Sequence, residues 1–243
     1  MPQKKLILVG AGPGDPELIS LKGVKALQQA NVVMYDALVS EELLQHAPNA
    51  IKLFCGKRAG THYMKQDEIN QKIVEQANLH GVVVRLKGGD PFIFGRGQEE
   101  IEYAEKHGIP AEIIPGISSA TALATLRQIP LTKRGITESV WITTGTTSCG
   151  ELSEDIELAA QSTATVVILM GIGKLAEIIS LFTKYKTEQY PIAIIQNGTL
   201  PDEKIVCGHL STIQQKALEA NISSPAVIIV GKVVDCSQIQ HIR

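Results

Sequence analysis

The most constraining feature of this chain is an alternation: short apolar runs are separated by longer stretches that carry the 3.6-residue period of a helix. Runs at 6–9, 32–35, 82–86, 113–114, 140–143, 165–170, 192–195 and 227–230 read as buried strands, and patterns at 16–30, 66–79, 97–107, 175–185 and 212–220 read as helices. Strands that alternate with helices lie mostly parallel, because a parallel neighbour needs a crossover and a helix supplies one. Turn residues gather at 110–116 and again towards 130–135, after one complete set of alternating elements. The expectation is α/β: two α/β domains with largely parallel sheets, over 1–115 and 116–243. The run at 227–231 with Lys232-Val233-Val234 reads as a closing strand or strand pair.

With 243 residues and 44% hydrophobic content, the chain can bury a core in each of two such domains. Its 23 basic and 25 acidic side chains leave a formal net charge of -2, so no global positive field exists to gather nucleic acid or an acidic membrane surface. Aromatic content of 4% also argues against a stacking platform for single strands. No apolar run approaches the roughly 18 residues of a membrane span, and the opening residues do not resemble a secretory signal. Cys55, Cys149, Cys207 and Cys236 are scattered without a CxxC pair, so neither a disulfide framework nor a zinc ribbon is expected. The six histidines do not fall at metal-ligand spacing, and no metal site is argued. A cytoplasmic protein in a reducing compartment is the expectation.

Two glycine-rich loops stand out. The first, Gly10-Ala11-Gly12-Pro13-Gly14-Asp15-Pro16, follows a strand, with Asp36 after the next strand, as in a dinucleotide-binding fingerprint. Asp15, however, stands where the third glycine belongs. Pro13 and Pro16 remove two backbone donors, and Asp15 and Glu17 put negative charge where a pyrophosphate needs positive potential. Asp15 before Pro16 reads as a helix N-cap followed by proline at the first helical position. Two readings of Gly10 to Gly14 remain: a tight turn without ligand, or a close approach to a ligand that carries no phosphate there.

The second loop, Gly88-Gly89-Asp90-Pro91-Phe92-Ile93-Phe94-Gly95-Arg96-Gly97, combines glycines with apolar residues, as the lining of a cavity would. In that reading Asp90 offers acceptors to an ammonium or hydroxyl and Phe92 to Phe94 form apolar walls. The alternative is that both phenylalanines are core.

With these loops, Tyr35-Asp36, Gly56-Lys57-Arg58-Ala59-Gly60, Gln66 to Asn70, Arg85 to Gly97, Ile114 to Ser119, Ile129 to Thr132, Met170-Gly171, Asn197-Gly198-Thr199 and Ser224-Pro225-Ala226, the chain resembles the tetrapyrrole methylase family nearly end to end. The resemblance implies a two-domain homodimer that binds S-adenosylmethionine in a cleft between domains. It also implies methylation of uroporphyrinogen III at two ring positions to precorrin-2, for sirohaem or cobalamin synthesis. The cofactor residues it implies are Pro13, Gly88, Gly89, Asp90, Ile93, Ser118, Ser119, Met170, Gly198 and Ala226, and the acid and base positions are Asp36 and Lys57. Lys57 serves equally well as a carboxylate ligand. Arg58, Arg96, Lys133 and Arg134 are the cations expected to grip the carboxylate rim of such a substrate. Ala37, Lys133, Thr146, Leu169 and Gln196 depart from the residues usual in the family. Methylation of a later corrin precursor, or NAD binding without catalysis, are the competing functions.

Overall fold

The structure, a computed structural model, describes residues 4–56 and 64–239. Two compact units divide the chain, Met1–Ser118 and Ser119–Arg243.

The first unit is built on five strands, β1 (Lys5–Gly10), β2 (Val32–Tyr35), β3 (Ile51–Phe54), β4 (Val82–Lys87) and β5 (Ala111–Ile114). They form a sheet in the order β3-β2-β4-β1-β5, parallel throughout. Helix α1 (Leu21–Gln28) covers one face, where Ala26 and Leu27 pack on Ile7, Val9, Val84 and Leu86. Helices α2 (Gln66–His80) and α3 (Gly97–Lys106) cover the other, where Ile69, Ile73, Ala77 and Ala104 pack on Leu6, Val32, Met34 and Val83. β1 leads to the α1 face and its neighbour β4 leads to the α3 face. The chain therefore parts in opposite directions at the carboxyl ends of β1 and β4, the place where open α/β sheets hold ligands.

The second unit contains α4 (Ser119–Leu126), β6 (Val140–Thr144), α5 (Asp155–Gln161), β7 (Thr165–Leu169), α6 (Leu175–Thr183), β8 (Pro191–Gln196), β9 (Lys204–His209), α7 (Ile213–Glu219), β10 (Ala226–Val230) and α8 (Cys236–Ile239). Its sheet runs β6-β7-β10-β8-β9, with β6 and β7 parallel and the other three pairs antiparallel. Among the described residues five of the eight neighbouring pairs are thus parallel, four of them in the first unit. The antiparallel part arises because β8 and β9 are joined without a helix and β10 enters between β7 and β8. Both faces are covered here too: Ile228 and Val230 face α5, α6 and α7, whereas Val227 and Ile229 face α4 and α8.

Several expectations need correction. β3 and β9 are not among the expected strands: like β5 and β6 they lie at sheet edges, but Lys52 interrupts β3, and Lys204, Gly208 and His209 leave β9 only a short apolar run, so their sequences carry a weak strand signal. β10 is a central strand, and Lys232 to Val234 form a turn into α8 instead of a further strand. The pattern at 16–30 breaks into a 3-10 turn, Pro16–Leu18, and α1, because Ser20 is extended and its hydroxyl accepts from Gly23 N at 3.1 Å to cap a new helix. Cys207 and Cys236 are joined in a disulfide, contrary to the expectation of unlinked cysteines. β9 and α8 bring their Cα atoms to 5.5 Å across 29 residues, a proximity that spacing along the chain does not reveal.

At the carboxyl end of the first sheet three backbones crowd together. Gly12 N donates to Gly89 O at 3.3 Å and Gly89 N to Gly12 O at 2.7 Å. A Cβ on Gly10 would lie 2.7 Å from Gly89 O and would also collide with Gly116, and one on Gly116 would strike the same carbonyl. Glycine is required at 10 and 116 by this approach of chain to chain. Gly116→Ala is expected to lower stability by about 1–3 kcal/mol, the usual cost of overpacking, read as a lower urea midpoint at unchanged slope; an unchanged midpoint would show that the loops part at no cost.

Candidate functional site

The two glycine loops and Asp36 lie together because β1, β4 and β2 are parallel and end at the same edge of the sheet. Asp15 caps the turn at the start of the first helical segment, its Oδ1 accepting from Glu17 N at 2.8 Å, with Pro16 at the first helical position. The helix start is occupied by the chain's own carboxylate and is no seat for a phosphate. In the second loop Asp90 accepts from Phe92 N at 2.8 Å through Oδ1 and from Gly116 N at 3.0 Å through Oδ2. It ties its own loop to the segment after β5, a structural duty that residue type alone did not disclose. Phe92, Ile93 and Phe94 are exposed, not core. Phe94 and Arg96 have φ of 55° and 58°, left-handed values that cost a side chain about 1–2 kcal/mol each.

Behind this edge lies a cluster of charges. Side chains alternate along β4, so Arg85 and Lys87 share the face of Val83 and point into the layer under α2 and α3. Arg85 Nε donates to Glu100 Oε1 at 3.2 Å and its Nη2 to Asp36 Oδ1 at 2.5 Å, while Nη1 donates to the carbonyls of Met34 and Leu86 at 3.4 and 3.3 Å. Lys87 Nζ lies 2.7 Å from Glu100 Oε1 and 4.0 Å from Asp36 Oδ2, and Gln66 Nε2 donates to the same Glu100 oxygen at 3.1 Å. The side chains of Arg85, Lys87 and Glu100 are 2%, 5% and 0% exposed and that of Asp36 is 29% exposed, so Asp36 is the member of this quartet that reaches the surface. Burial opposes the guanidinium charge, but Glu100 and Asp36 outweigh it and hold Arg85 above its ordinary range. Burial, reinforced by Arg85, pushes the Lys87 ammonium down. Burial likewise pushes the neighbouring Cys55 thiol up.

In the second unit the register gathers three of the expected cofactor residues. Ala226 at the start of β10 pairs with Gln196 at the end of β8, and Val227 pairs with Leu169 at the end of β7. Met170, Ala226 and the Asn197-Gly198-Thr199 turn therefore share one end of that sheet. Met170, Asn197 and Thr199 adopt φ of 52°, 49° and 73°. Left-handed non-glycine residues gathered at one end of the sheet make it a candidate functional edge; from sequence, Asn197 and Thr199 stand out only within the segment that carries the family resemblance, without a role of their own. Two family departures act here: Thr146 Oγ1 donates to Met170 O at 2.9 Å, and Gln196 Oε1 accepts from Ser223 N at 2.6 Å.

The other expected residues lie elsewhere or outside. Lys57 and Arg58 fall outside the described residues. Pro13 is half-buried in the first loop, Ser118 closes the first unit, and Ser119 opens α4. Arg96 makes a two-bond pair with Glu99 at 2.8 and 2.6 Å on the surface of α3. Lys133 is bridged to Thr137 ahead of β6 and lines a cavity of about 370 Å³ with Pro191, His209 and Lys232, at the opposite end of the second sheet from Met170 and Ala226. The exposed Arg134 follows it. These two cations are not brought together with the second unit's expected cofactor residues.

The tetrapyrrole (corrin/porphyrin) methylase model matches residues 5–214. The chain belongs to that family. Among its relatives, a uroporphyrinogen-III C-methyltransferase of Methanocaldococcus jannaschii is 46% identical over 234 residues, which cover 95% of this chain and 97% of the relative. A Thermus thermophilus uroporphyrin-III C-methyl transferase, solved with S-adenosylhomocysteine, superposes with a TM-score of 0.81 at 35% identity, covering 94% of this chain and 98% of its own. A cobalt precorrin-4 methyltransferase from cobalamin biosynthesis superposes with 0.85 at 30% identity, covering 96% of each chain. For this methylase the two acceptor bonds of Asp90 hold the second loop in place. Asp90→Ala is expected to cost about 1.5–3 kcal/mol, as for hydrogen bonds to a charged group, and Asp90→Asn less; chemical denaturation of the three proteins checks the order.

Proposed function

We propose that the chain is an S-adenosylmethionine-dependent methyltransferase that adds two methyl groups to uroporphyrinogen III, giving precorrin-2 for sirohaem or cobalamin synthesis. The observation that carries this reading is the near full-length likeness to uroporphyrinogen-III C-methyltransferases, one of them solved with the demethylated cofactor product. The local chemistry agrees with such a cofactor. It carries no phosphate, and the first helix start, filled by Asp15, takes none. The exposed Phe92 and Ile93 and the exposed Met170 suit its apolar parts.

Bound S-adenosylmethionine would supply a methyl group on positively charged sulfur, and transfer of that methyl to a ring carbon would leave the carbon–sulfur electron pair on sulfur. The chain's own residues have to hold, align and deprotonate. Pro13, Gly88, Gly89, Asp90, Ile93, Ser118, Ser119, Met170, Gly198 and Ala226 are the residues proposed to hold the cofactor. Arg58, Arg96, Lys133 and Arg134 are proposed for the substrate's carboxylates, and engagement of Arg96 exchanges its pair with Glu99 for a substrate carboxylate. The methylated ring carries one positive charge until it loses a proton. Asp36, outward-facing at the end of β2, is proposed to take that proton, with Lys57 as a further acid–base or carboxylate-binding group. The reading extends to a cytoplasmic homodimer, the latter tested by sedimentation.

A second reading, methylation of a later corrin precursor, draws on the likeness to the precorrin-4 enzyme. Incubation with uroporphyrinogen III and S-adenosylmethionine decides: a red-fluorescent oxidised product supports the first reading, and unchanged substrate favours the second. Asp36→Asn is expected to lower turnover by about 10²–10⁴-fold, the worth of a positioned acid or base, while S-adenosylhomocysteine affinity stays within experimental error. Arg96→Ala is expected to weaken substrate binding and leave cofactor affinity in place. Equal loss of both affinities would give Arg96 a structural role.

A further inference from the structure

The buried charges behind Asp36 are not accounted for by binding either substrate. A buried ion network is rarely retained for stability, because desolvation cancels much of the attraction and well-packed apolar residues serve as well or better. Here three of the four groups are withdrawn from solvent, and the outward member is Asp36, the carboxylate proposed above as the base. The connectivity is directional. Glu100 is fixed by Arg85, Lys87 and Gln66, and Arg85 carries that fixation to Asp36 through the other edge of its guanidinium. A planar guanidinium with donors on two edges holds two carboxylates in a set relation, which an ammonium does not.

We propose that Arg85 and Glu100 are positioning residues that set the orientation and the ionisation of Asp36, with opposite effects on the latter. This rests on the reading of Asp36 as the proton acceptor. The positive charge of Arg85 favours the ionised carboxylate. Glu100 works against it, both as a second negative charge and by drawing Arg85 and Lys87 towards itself. Among the described residues the charged and titratable groups facing Asp36 are Arg85 and Lys87 from β4, Glu100 from α3, and Cys55 just after β3. Gln66 and Asn70, which α2 adds next to Glu100, are uncharged. In the deprotonation step Asp36 takes one proton from the cationic ring, the C–H bonding pair stays with the ring to neutralise it, and Arg85 keeps its own protons throughout.

The signs give a test that a merely structural role does not mimic. Turnover at saturating uroporphyrinogen III and S-adenosylmethionine is measured against pH for the wild type, Arg85→Met, Arg85→Lys, Glu100→Gln and Asp36→Asn, with S-adenosylhomocysteine affinity as a check of folding. Arg85→Met is expected to move the acid limb up by about one pH unit or more, since a lost cationic neighbour is worth about 1–3 units to a carboxylate. Glu100→Gln is expected to move it down. Arg85→Lys restores the limb towards the wild-type position while turnover stays reduced, because charge returns and geometry does not. Should Arg85→Met fail to fold, the downward limb in Glu100→Gln and the restored limb in Arg85→Lys carry the same signature. If Asp36→Asn abolishes most turnover but the limb stays in place in the folded Arg85 and Glu100 variants, the positioning role is overturned and the reading of Asp36 stands. Near-normal turnover in Asp36→Asn overturns both.

Discussion

A guanidinium buried inside a parallel sheet has to be neutralised where it stands, and much of the first unit is arranged around that requirement. Arg85 sits on a central strand between β2 and β1, with its side chain nearly removed from water. Leaving it unpaired would cost about 3–5 kcal/mol. α3 supplies Glu100, β2 ends on Asp36, and α2 brings Gln66 against the shared carboxylate. The strand order that places β2 beside β4 is therefore also what places a carboxylate at the carboxyl end of the sheet, where open α/β sheets commonly hold ligands. Fold and chemistry are coupled through one side chain.

The two glycine loops express a second constraint of the same edge. Ligand-binding loops are commonly glycine-rich so that backbone can approach the ligand. Here Gly10 and Gly116 serve the approach of protein to protein, and Asp90 ties the second loop to Gly116 N. Phe92, Ile93 and Phe94 are exposed on the second loop, where Phe94 and Arg96 take left-handed backbone. The loops are thus tied to one another by hydrogen bonds and carry an apolar rim, which suits the apolar parts of the proposed cofactor.

The strands with apolar runs were legible in the sequence because both of their faces are buried. β1, β4, β7, β8 and β10 read as runs dominated by Val, Ile and Leu, whereas β3, broken by Lys52, and β9, with Gly208 and polar ends, did not. Asp15 as a cap and the broken dinucleotide fingerprint were also readable, because they depend on neighbours in the chain. What was not readable depends on contacts across the chain. Cys207 meets Cys236 through β9 and α8. Asp90 meets Gly116 from 26 residues away. Arg85 and Lys87 did leave a signal, two charges at alternate positions in an otherwise apolar strand, but the partners that give it meaning, Asp36 and Glu100, lie on other elements.

That distinction bears on how this family can vary its acceptor while keeping its donor. In the proposed reading the methyl is activated before it reaches the protein, so the residues proposed for the cofactor need only hold it; Met170, one of them, has left-handed backbone, as do Asn197 and Thr199 on either side of Gly198. Thr146 and Gln196, both departures from the usual pattern, bond to Met170 O and Ser223 N and so brace those turns without occupying them. In the proposed mechanism, deprotonation of the ring depends instead on Asp36 and on the charges behind it. Those charges are buried, mutually dependent and costly to change singly. Change is therefore expensive behind Asp36, and in the proposed mechanism Arg85, Lys87 and Glu100 set how the first unit handles the proton.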